Sequence, residues 1–343
     1  GKKRPLGIAS YEDKIVQMAV KKILGAIYEP RFLNCMYGFR PNRGCHEAIK
    51  EVYQQISHGK ISYIVDADIK GFFDHIDHEW MMKFLEWNIQ DKNLLWLIRK
   101  YLKAGIMEQG KFEPTEEGSA QGSVMSPMLA NIYMHHVLTL WFKLVVQREM
   151  QGECFLVNFA DDFVAGFQYK WEAENYYKLL KERMEKFGLQ LEDSKNRLLQ
   201  SGAYIARAKQ KSGECIRLQT FDFLGFTFYS GRSRKGMPYI MPKTSSKKFR
   251  QKIRDIKVWL YANRDQPLKK LMGMLNLKLI GHYRYYGISF NGRMISNYKQ
   301  QVRELLFKVL NRRSDRKSYT REGFIEMLKY YPLAMPKIYV SLF

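Results

Sequence analysis

Acidic residues are in short supply: 34 Asp and Glu stand against 57 Lys and Arg, leaving a formal net charge of +23 over 343 residues. Unbalanced positive charge of that size stabilises little by itself, so it points to a polyanionic partner. Cysteine is scarce too. Cys35, Cys45, Cys154 and Cys215 form no Cys-x-x-Cys pair, which argues against a disulfide scaffold or zinc ribbon and suits reduced core thiols in the cytosol. No apolar segment approaches the ~20 residues that span a bilayer, and no secretory signal opens the chain, so membrane association is not expected. Internal repeats and low-complexity tracts are also missing.

What is present can build a core. With 46% hydrophobic and 14% aromatic residues, the chain should bury a sizeable interior in two or three subdomains. Charge is unevenly spread: residues 1–230 carry 31 Lys/Arg against 28 Asp/Glu, whereas residues 231–343 carry 26 against 6. The C-terminal third is therefore the expected clamp on nucleic acid.

The sharpest chemical signal is Phe159-Ala160-Asp161-Asp162, set between the apolar runs Cys154–Val157 and Phe163–Phe167. Strand-like residues on both sides read as a hairpin with the two acids at its tip. Adjacent carboxylates in such surroundings repel and are poorly solvated, so a bound cation should neutralise them. A solvated turn is the plainer alternative. A third acid shifts the balance, because another apolar strand ends in carboxylates at Asp66-Ala67-Asp68. Strand end beside hairpin tip would give hard oxygen ligands suited to two magnesium ions roughly 3.5–4 Å apart, with manganese as a substitute, and that is the chemistry of nucleotidyl transfer. Asp66 and Asp68 share a strand face, so parity does not choose between them.

Periodicity places helices over 11–27 (Ile15, Val16, Met18, Ala19, Ile23, Leu24) and 44–57, two over 78–104, one after Pro127, and one over 171–187 closed by Gly188. The basic stretch 230–236 reads as a boundary, followed by helical patterns over 245–263, 266–287 and 292–312. Helices interleaved with short strands suit an α+β fold.

Six motifs in one order carry a resemblance over nearly the whole chain: Gly1–Ile8, Tyr37–Asn42, Asp68 with Phe73-Asp74, Ser119–Pro127, Phe159–Asp162, and Phe223–Phe226 with His282–Gly287. Together they resemble the reverse transcriptases encoded by bacterial group II introns. The resemblance implies a right-hand polymerase with fingers (1–60, with further finger sequence expected ahead of residue 1), a palm (61–230) whose antiparallel sheet is backed by helices, and an all-α, three-helix basic thumb (231–343). It implies an RNA template such as intron RNA, a DNA or RNA primer, deoxynucleoside triphosphates, and a place in the bacterial cytoplasm.

The resemblance also assigns roles. The family has an aromatic residue five places after its catalytic acid; from Asp68 that is Phe73, from Asp66 it is Gly71. Asp68, Asp161, Asp162 and the Ile69 carbonyl are thereby the metal ligands, with the three carboxylates catalytic. Phe73 would exclude a 2′-hydroxyl, and Gln121 with Gly122 would line the nucleotide pocket. There Ala120 and Ser123 depart from the family's Gly-x-Pro-Gln-Gly-Gly. Lys3 and Arg4 would grip the triphosphate, and Lys195 would protonate pyrophosphate as general acid. Gly225 in a primer-grip hairpin, Tyr283, Arg284 and Tyr286 against a duplex groove, and Arg312 and Arg313 on phosphates complete the expected contacts. Tyrosines at that spacing are equally ordinary packing residues. His75, Asp77 and His78 form no transition-metal set, since no Cys or Glu completes it and the segment reads as the turn entering a helix. The rival readings are a domesticated relative serving defence or repair, and an RNA-binding splicing factor without polymerase activity. The sequence carries no His-Asn-His nuclease motif, so second-strand cleavage is not expected of it.

Overall fold

Ser10 opens the first helix by accepting the amide of Asp13 on its side-chain oxygen, a cap that supplies one of the partners a helix start lacks. The computed structural model describes residues 9–104, 106–108, 111–113, 118, 123–192, 197–215, 217–233, 235–313 and 318–343. In chain order the elements are α1 (Tyr11–Tyr28), α2 (Cys45–His58), β1 (Tyr63–Ala67), α3 (His78–Glu86), α4 (Lys92–Leu102), β2 (Ile106–Glu108) and β3 (Lys111–Glu113). Next comes α5 (Ser126–Met134), which runs through two π-helical turns (His135–Thr139 and Phe142–Val146) into α6 (Gln147–Glu149). Then follow β4 (Cys154–Phe159), β5 (Asp162–Phe167), α7 (Lys170–Lys186), β6 (Arg197–Gln200), α8 (Ala203–Lys211), β7 (Phe221–Phe223), β8 (Phe226–Arg232) and β9 (Pro238–Thr244). Four helices end the chain: α9 (Ser246–Ala262), α10 (Leu268–Tyr286), α11 (Gly292–Leu310) and α12 (Arg321–Tyr330).

Two compact units result: residues through Gln219 with a return ending at Tyr239, and Thr220–Ser233 with Ile240–Phe343. In the first, β4-β5-β1-β6 form an antiparallel sheet. Alternation sends Val65, Ala67, Leu156, Phe163, Ala165 and Phe167 to one face, where they join one core with Leu85, Leu129, Tyr133, Tyr176 and Leu180 of the helices. On α2, Ile49, Val52 and Ile56 are buried, and the helix lies against β4 and α8. Gly188 follows α7 with φ +73°, the left-handed turn that closes a helix end.

In the second unit β7-β8-β9 form a sheet, and α9 and α11 pack together.

Three expectations are corrected. Ile15, Val16, Met18 and Ile23 of α1 are exposed, while Gln17, Val20, Leu24 and Tyr28 face inward. A polar residue holds an inward place because the Gln17 carbonyl accepts from the Ser123 hydroxyl (3.1 Å) and the Val124 amide (3.0 Å). A fourth helix, α12, joins the expected three, its start capped by Thr320. Of the stretch 230–236, the residues through Arg232 end β8 and the rest leads to β9, and the change from one unit to the other falls within it. Finally, Ser126–Glu149 is a 24-residue helix whose most apolar 18-residue window has a mean hydropathy of 1.2, long and apolar enough to cross a membrane by length and composition, with 72% of that window buried inside the protein. Such burial is what a core helix shows.

Of the four thiols, Cys35, Cys45 and Cys154 are half-buried and Cys215 is exposed, so the core-thiol reading is corrected for Cys215. Burial pushes Cys35 and Cys154 up to about 11, which keeps both as poorly reactive thiols.

Candidate active site

Tyr63-Ile64-Val65 is rich in residues that favour strands, and register decides where the acids after it fall. Antiparallel pairing sets Asp66 opposite Val164 and Arg197, inside the ladder. Ala67 faces Phe163 in the last pair with β5. Asp68 therefore comes next in line, beside Asp162, the first residue of β5. On the other edge of β5, Asp162 pairs with Phe159, leaving Ala160-Asp161 as a two-residue hairpin turn. Ala160 has φ +56°, a left-handed conformation that costs a non-glycine residue about 1–2 kcal/mol. Asp68 and Asp161 are half-buried and Asp162 is exposed.

Past β1 the chain makes one more antiparallel bridge, Ile69 to Leu191. The Glu192 amide donates to the Asp68 carbonyl, and the Lys70 amide to the Gln190 carbonyl, both at 2.8 Å. This pairing engages the neighbours of Ile69 and not its own carbonyl. Gly71, at φ +56°, turns the chain into a short 3-10 turn, Phe72–Asp74. Phe72 is buried and Phe73 half-buried, their rings edge to face at 5.3 Å. Behind them Gly118 (φ +87°) lies so close that a Cβ would meet the Phe73 and Asp74 carbonyl oxygens at 2.8 Å. Its amide donates to the Ile76 carbonyl at 2.8 Å, and His78 Nε2 hydrogen-bonds the Gly118 carbonyl at 2.6 Å. Asp77 accepts the Trp80 amide at the start of α3, as a turn entering a helix should.

The turn also rests on a loop that sequence reasoning missed as part of the site. Met36 and Asn158 form a parallel bridge, made by the Tyr37 amide donating to the Asn158 carbonyl and the Asn158 amide to the Cys35 carbonyl, both at 2.8 Å. Asn158 Nδ2 donates to the Ala160 carbonyl at 2.8 Å. The loop is stapled by Arg40, which is buried and bonds Glu29 Oε1 (2.8 Å), Leu33 O (2.8 Å) and Met36 O (3.0 Å). Only the Gly38 position within Tyr37–Asn42 could have hinted at this close packing.

Lys3, Arg4, Gln121, Gly122 and Lys195 lie outside the described residues. Their described neighbours are Gly118 and Ser123 around the Gln121 segment, and Glu192, bonded to Asp68, beside the Lys195 segment. Among the described residues, no three His, Cys, Asp or Glu side chains are, as they stand, already gathered around one point in the manner of a metal site. The donors that register brings to adjacent strand ends are carboxylates, hard oxygen ligands of the kind magnesium and manganese take.

In the second unit Leu224 (φ +47°) and Gly225 (φ +80°) form the turn of the expected hairpin, a backbone pattern that favours glycine. The Tyr285 hydroxyl donates to the Leu224 carbonyl at 2.8 Å. Tyr283 and Tyr286 are 0% and 4% exposed, and Tyr286 packs on Phe226 and His282. Their expected contact with a duplex groove is corrected: both rings are buried inside the unit. Arg284 is exposed. Arg312 is exposed and donates to the Tyr261 hydroxyl at 2.9 Å. Arg313 is half-buried and donates to the Gln266 carbonyl at 2.9 Å, a bond that braces the turn before α10. Burial, with Lys252 adding repulsion, lowers His282 to about 3.

Residues 1–228 match the family described as reverse transcriptase (RNA-dependent DNA polymerase), and residues 246–325 match the group II intron maturase-specific domain. Group II intron-encoded protein LtrA of Lactococcus lactis subsp. cremoris is 43% identical over 150 residues, 43% of this chain and 25% of that protein. Protein YkfC of Escherichia coli K12 is 37% identical over 138 residues, 39% of this chain and 36% of that protein. The matches thus span about a quarter to a third of those relatives' lengths. Among solved structures, a telomerase from Candida albicans in complex with a telomeric RNA fragment aligns with 92% of this chain and 53% of its own, at 12% identity and a TM-score of 0.47. The chain belongs to the reverse transcriptase family, and its C-terminal part carries a group II intron maturase-specific domain.

Proposed function

We propose that this chain is an RNA-directed DNA polymerase that extends a DNA or RNA primer on an RNA template with deoxynucleoside triphosphates, and that it also binds intron RNA as a maturase. The observation that carries the first part is the register that sets Asp68 beside Asp162, next to the turn holding Asp161. The maturase-specific match and the excess of 26 Lys/Arg over 6 Asp/Glu beyond residue 230 support the second. In this reading the fingers and palm belong to the first unit and the thumb to the second. The setting would be the bacterial cytoplasm, on nucleic acid.

Reverse transcriptases are generally dependent on divalent metal. Here Asp68, Asp161, Asp162 and the Ile69 carbonyl would hold two magnesium or manganese ions, which supply charge neutralisation and a more acidic primer hydroxyl when bound. The other roles fall to side chains. Phe73, fixed against Phe72, presses on the sugar and excludes a 2′-hydroxyl. Gln121 and Gly122 line the base pair, Lys3 and Arg4 bind the triphosphate, and Lys195 delivers a proton to the departing pyrophosphate. Gly225, Arg284 and Arg312 contact the nucleic-acid backbone.

Primer extension on an RNA template, with and without magnesium, tests this reading. Asp161→Asn should abolish synthesis and leave RNA affinity within about twofold, since one neutralised acid adds no phosphate contact; extension by the variant would refute the assignment.

A further inference from the structure

Asn158 sits where a hydrophobic residue belongs. On β4 it follows Leu156 on the face that joins the helical core, and it is 0% exposed. Its Nδ2 is used on the Ala160 carbonyl, yet its Oδ1 is buried with no hydrogen-bond partner. A buried amide satisfied at only one end is costly to keep, so its one bond needs a reason. That bond holds the carbonyl of the single left-handed residue in the turn, directly ahead of Asp161.

A second constraint meets the turn from below. A Cβ on Gly38 would lie 2.5 Å from the Ala160 nitrogen and 3.0 Å from the Phe159 carbonyl carbon, contacts that backbone cannot relieve without moving. Gly38 is itself held from the helical layer, where Asn131 Nδ2, also buried, donates to its carbonyl at 2.7 Å. The loop, the strand and α5 thereby converge on one peptide.

We infer that Asn158 and Gly38 are positioning residues that set the orientation of Asp161 and Asp162, and so the affinity of the site for divalent cation. The inference rests on the metal-site reading of those carboxylates. Asn158 clamps the turn through the Ala160 carbonyl, and Gly38 supplies a platform without a side chain. Both residues are buried.

The test is manganese binding to the full chain without nucleic acid or nucleotide, read as free Mn2+ by electron paramagnetic resonance, beside the melting temperature of each variant. Asn158→Leu removes the clamp but suits the apolar core, so it should melt no earlier than the wild type. It should bind Mn2+ about 10-fold or more weakly, as loss of an orienting partner does at metal sites. Gly38→Ala should weaken Mn2+ binding in the same sense, by pushing on the Phe159–Ala160 peptide. It decides the matter if Asn158→Leu folds poorly. Asp161→Asn separates the two levels of the argument. If it binds Mn2+ as wild type does, the metal-site reading falls. If it loses Mn2+ while folded Asn158→Leu and Gly38→Ala bind normally, the positioning inference alone is overturned.

Discussion

The Glu192 amide donates to the Asp68 carbonyl at 2.8 Å, which ties residue 192 to the first candidate metal ligand. With Asp68 itself next to Asp162 by register, two sequence-distant segments share one strand end.

Phe73 is the candidate filter for the sugar. Phe73→Ala should raise ribonucleotide incorporation relative to deoxynucleotide by about tenfold or more, since removing a steric clash of this kind is worth more than the 1–3 kcal/mol of a methylene. Single-nucleotide extension with paired rNTP and dNTP measures the ratio, and an unchanged ratio would show that the ring serves only Phe72.

Gly118 tests how tightly its own stretch of chain leans on the turn that carries Phe73 and Asp74. Gly118→Ala must fit a methyl against two carbonyl oxygens at 2.8 Å, at φ +87°. A loss of about 1–3 kcal/mol in stability is expected, visible in urea denaturation, together with a lower rate of extension. Full stability in the variant would mean the two segments separate easily.

Acid should weaken the second unit. His282 is lowered from 6.5 to about 3, mainly by burial, so the native state binds fewer protons than the unfolded chain below about pH 6.5. Stability present above that pH is then lost progressively as the pH falls towards 3. His135 and His136, each lowered to about 4 by burial, impose the same sign on the first unit. His282→Phe keeps a ring to stack on Tyr298, whose ring centre lies 3.6 Å from that of His282. The variant should therefore lose less melting temperature between pH 7 and pH 5 than the wild type in the transition reporting the second unit.

Arg284 and Arg313 should behave differently although both lie in the basic third. Arg284→Ala should reduce the slope of log affinity for RNA against log salt by about 0.7–0.9, one phosphate's worth. Arg313→Ala should keep that slope and cost stability instead, about 1 kcal/mol for the bond to the Gln266 carbonyl. Filter binding across a salt series and a thermal melt distinguish them.

Much of this was legible because the signals were local. The hairpin around Asp161 announces itself by apolar runs on both sides, and α9, α10 and α11 by their periodicity. Asp68 needed more: parity left it level with Asp66, and only the family spacing singled it out, with strand register then setting it beside Asp162. What escaped were facts about neighbours. Tyr283 and Tyr286 read as binding residues because nothing in the chain says which face of α10 meets Phe226 and Tyr298. Ile15 and Met18 look like core until Gln17 finds Ser123 and Val124 across the fold. Asn158 is an unremarkable polar residue in a strand until the peptide it holds is known. Helix α12 was missed because its buried stripe is only Phe324 and Met327.

The helix from Ser126 to Glu149 carries a consequence for synthesis. Its shelter comes in part from β4, β5 and α7, all of which follow it in the chain. After it leaves the ribosome and before those elements have followed, that helix is an uncovered greasy rod, matched in length to a lipid bilayer. Nascent chains halted before α7 has cleared the ribosome should therefore be the ones that chaperones retain, or that clump, and release should come once its last turn can dock.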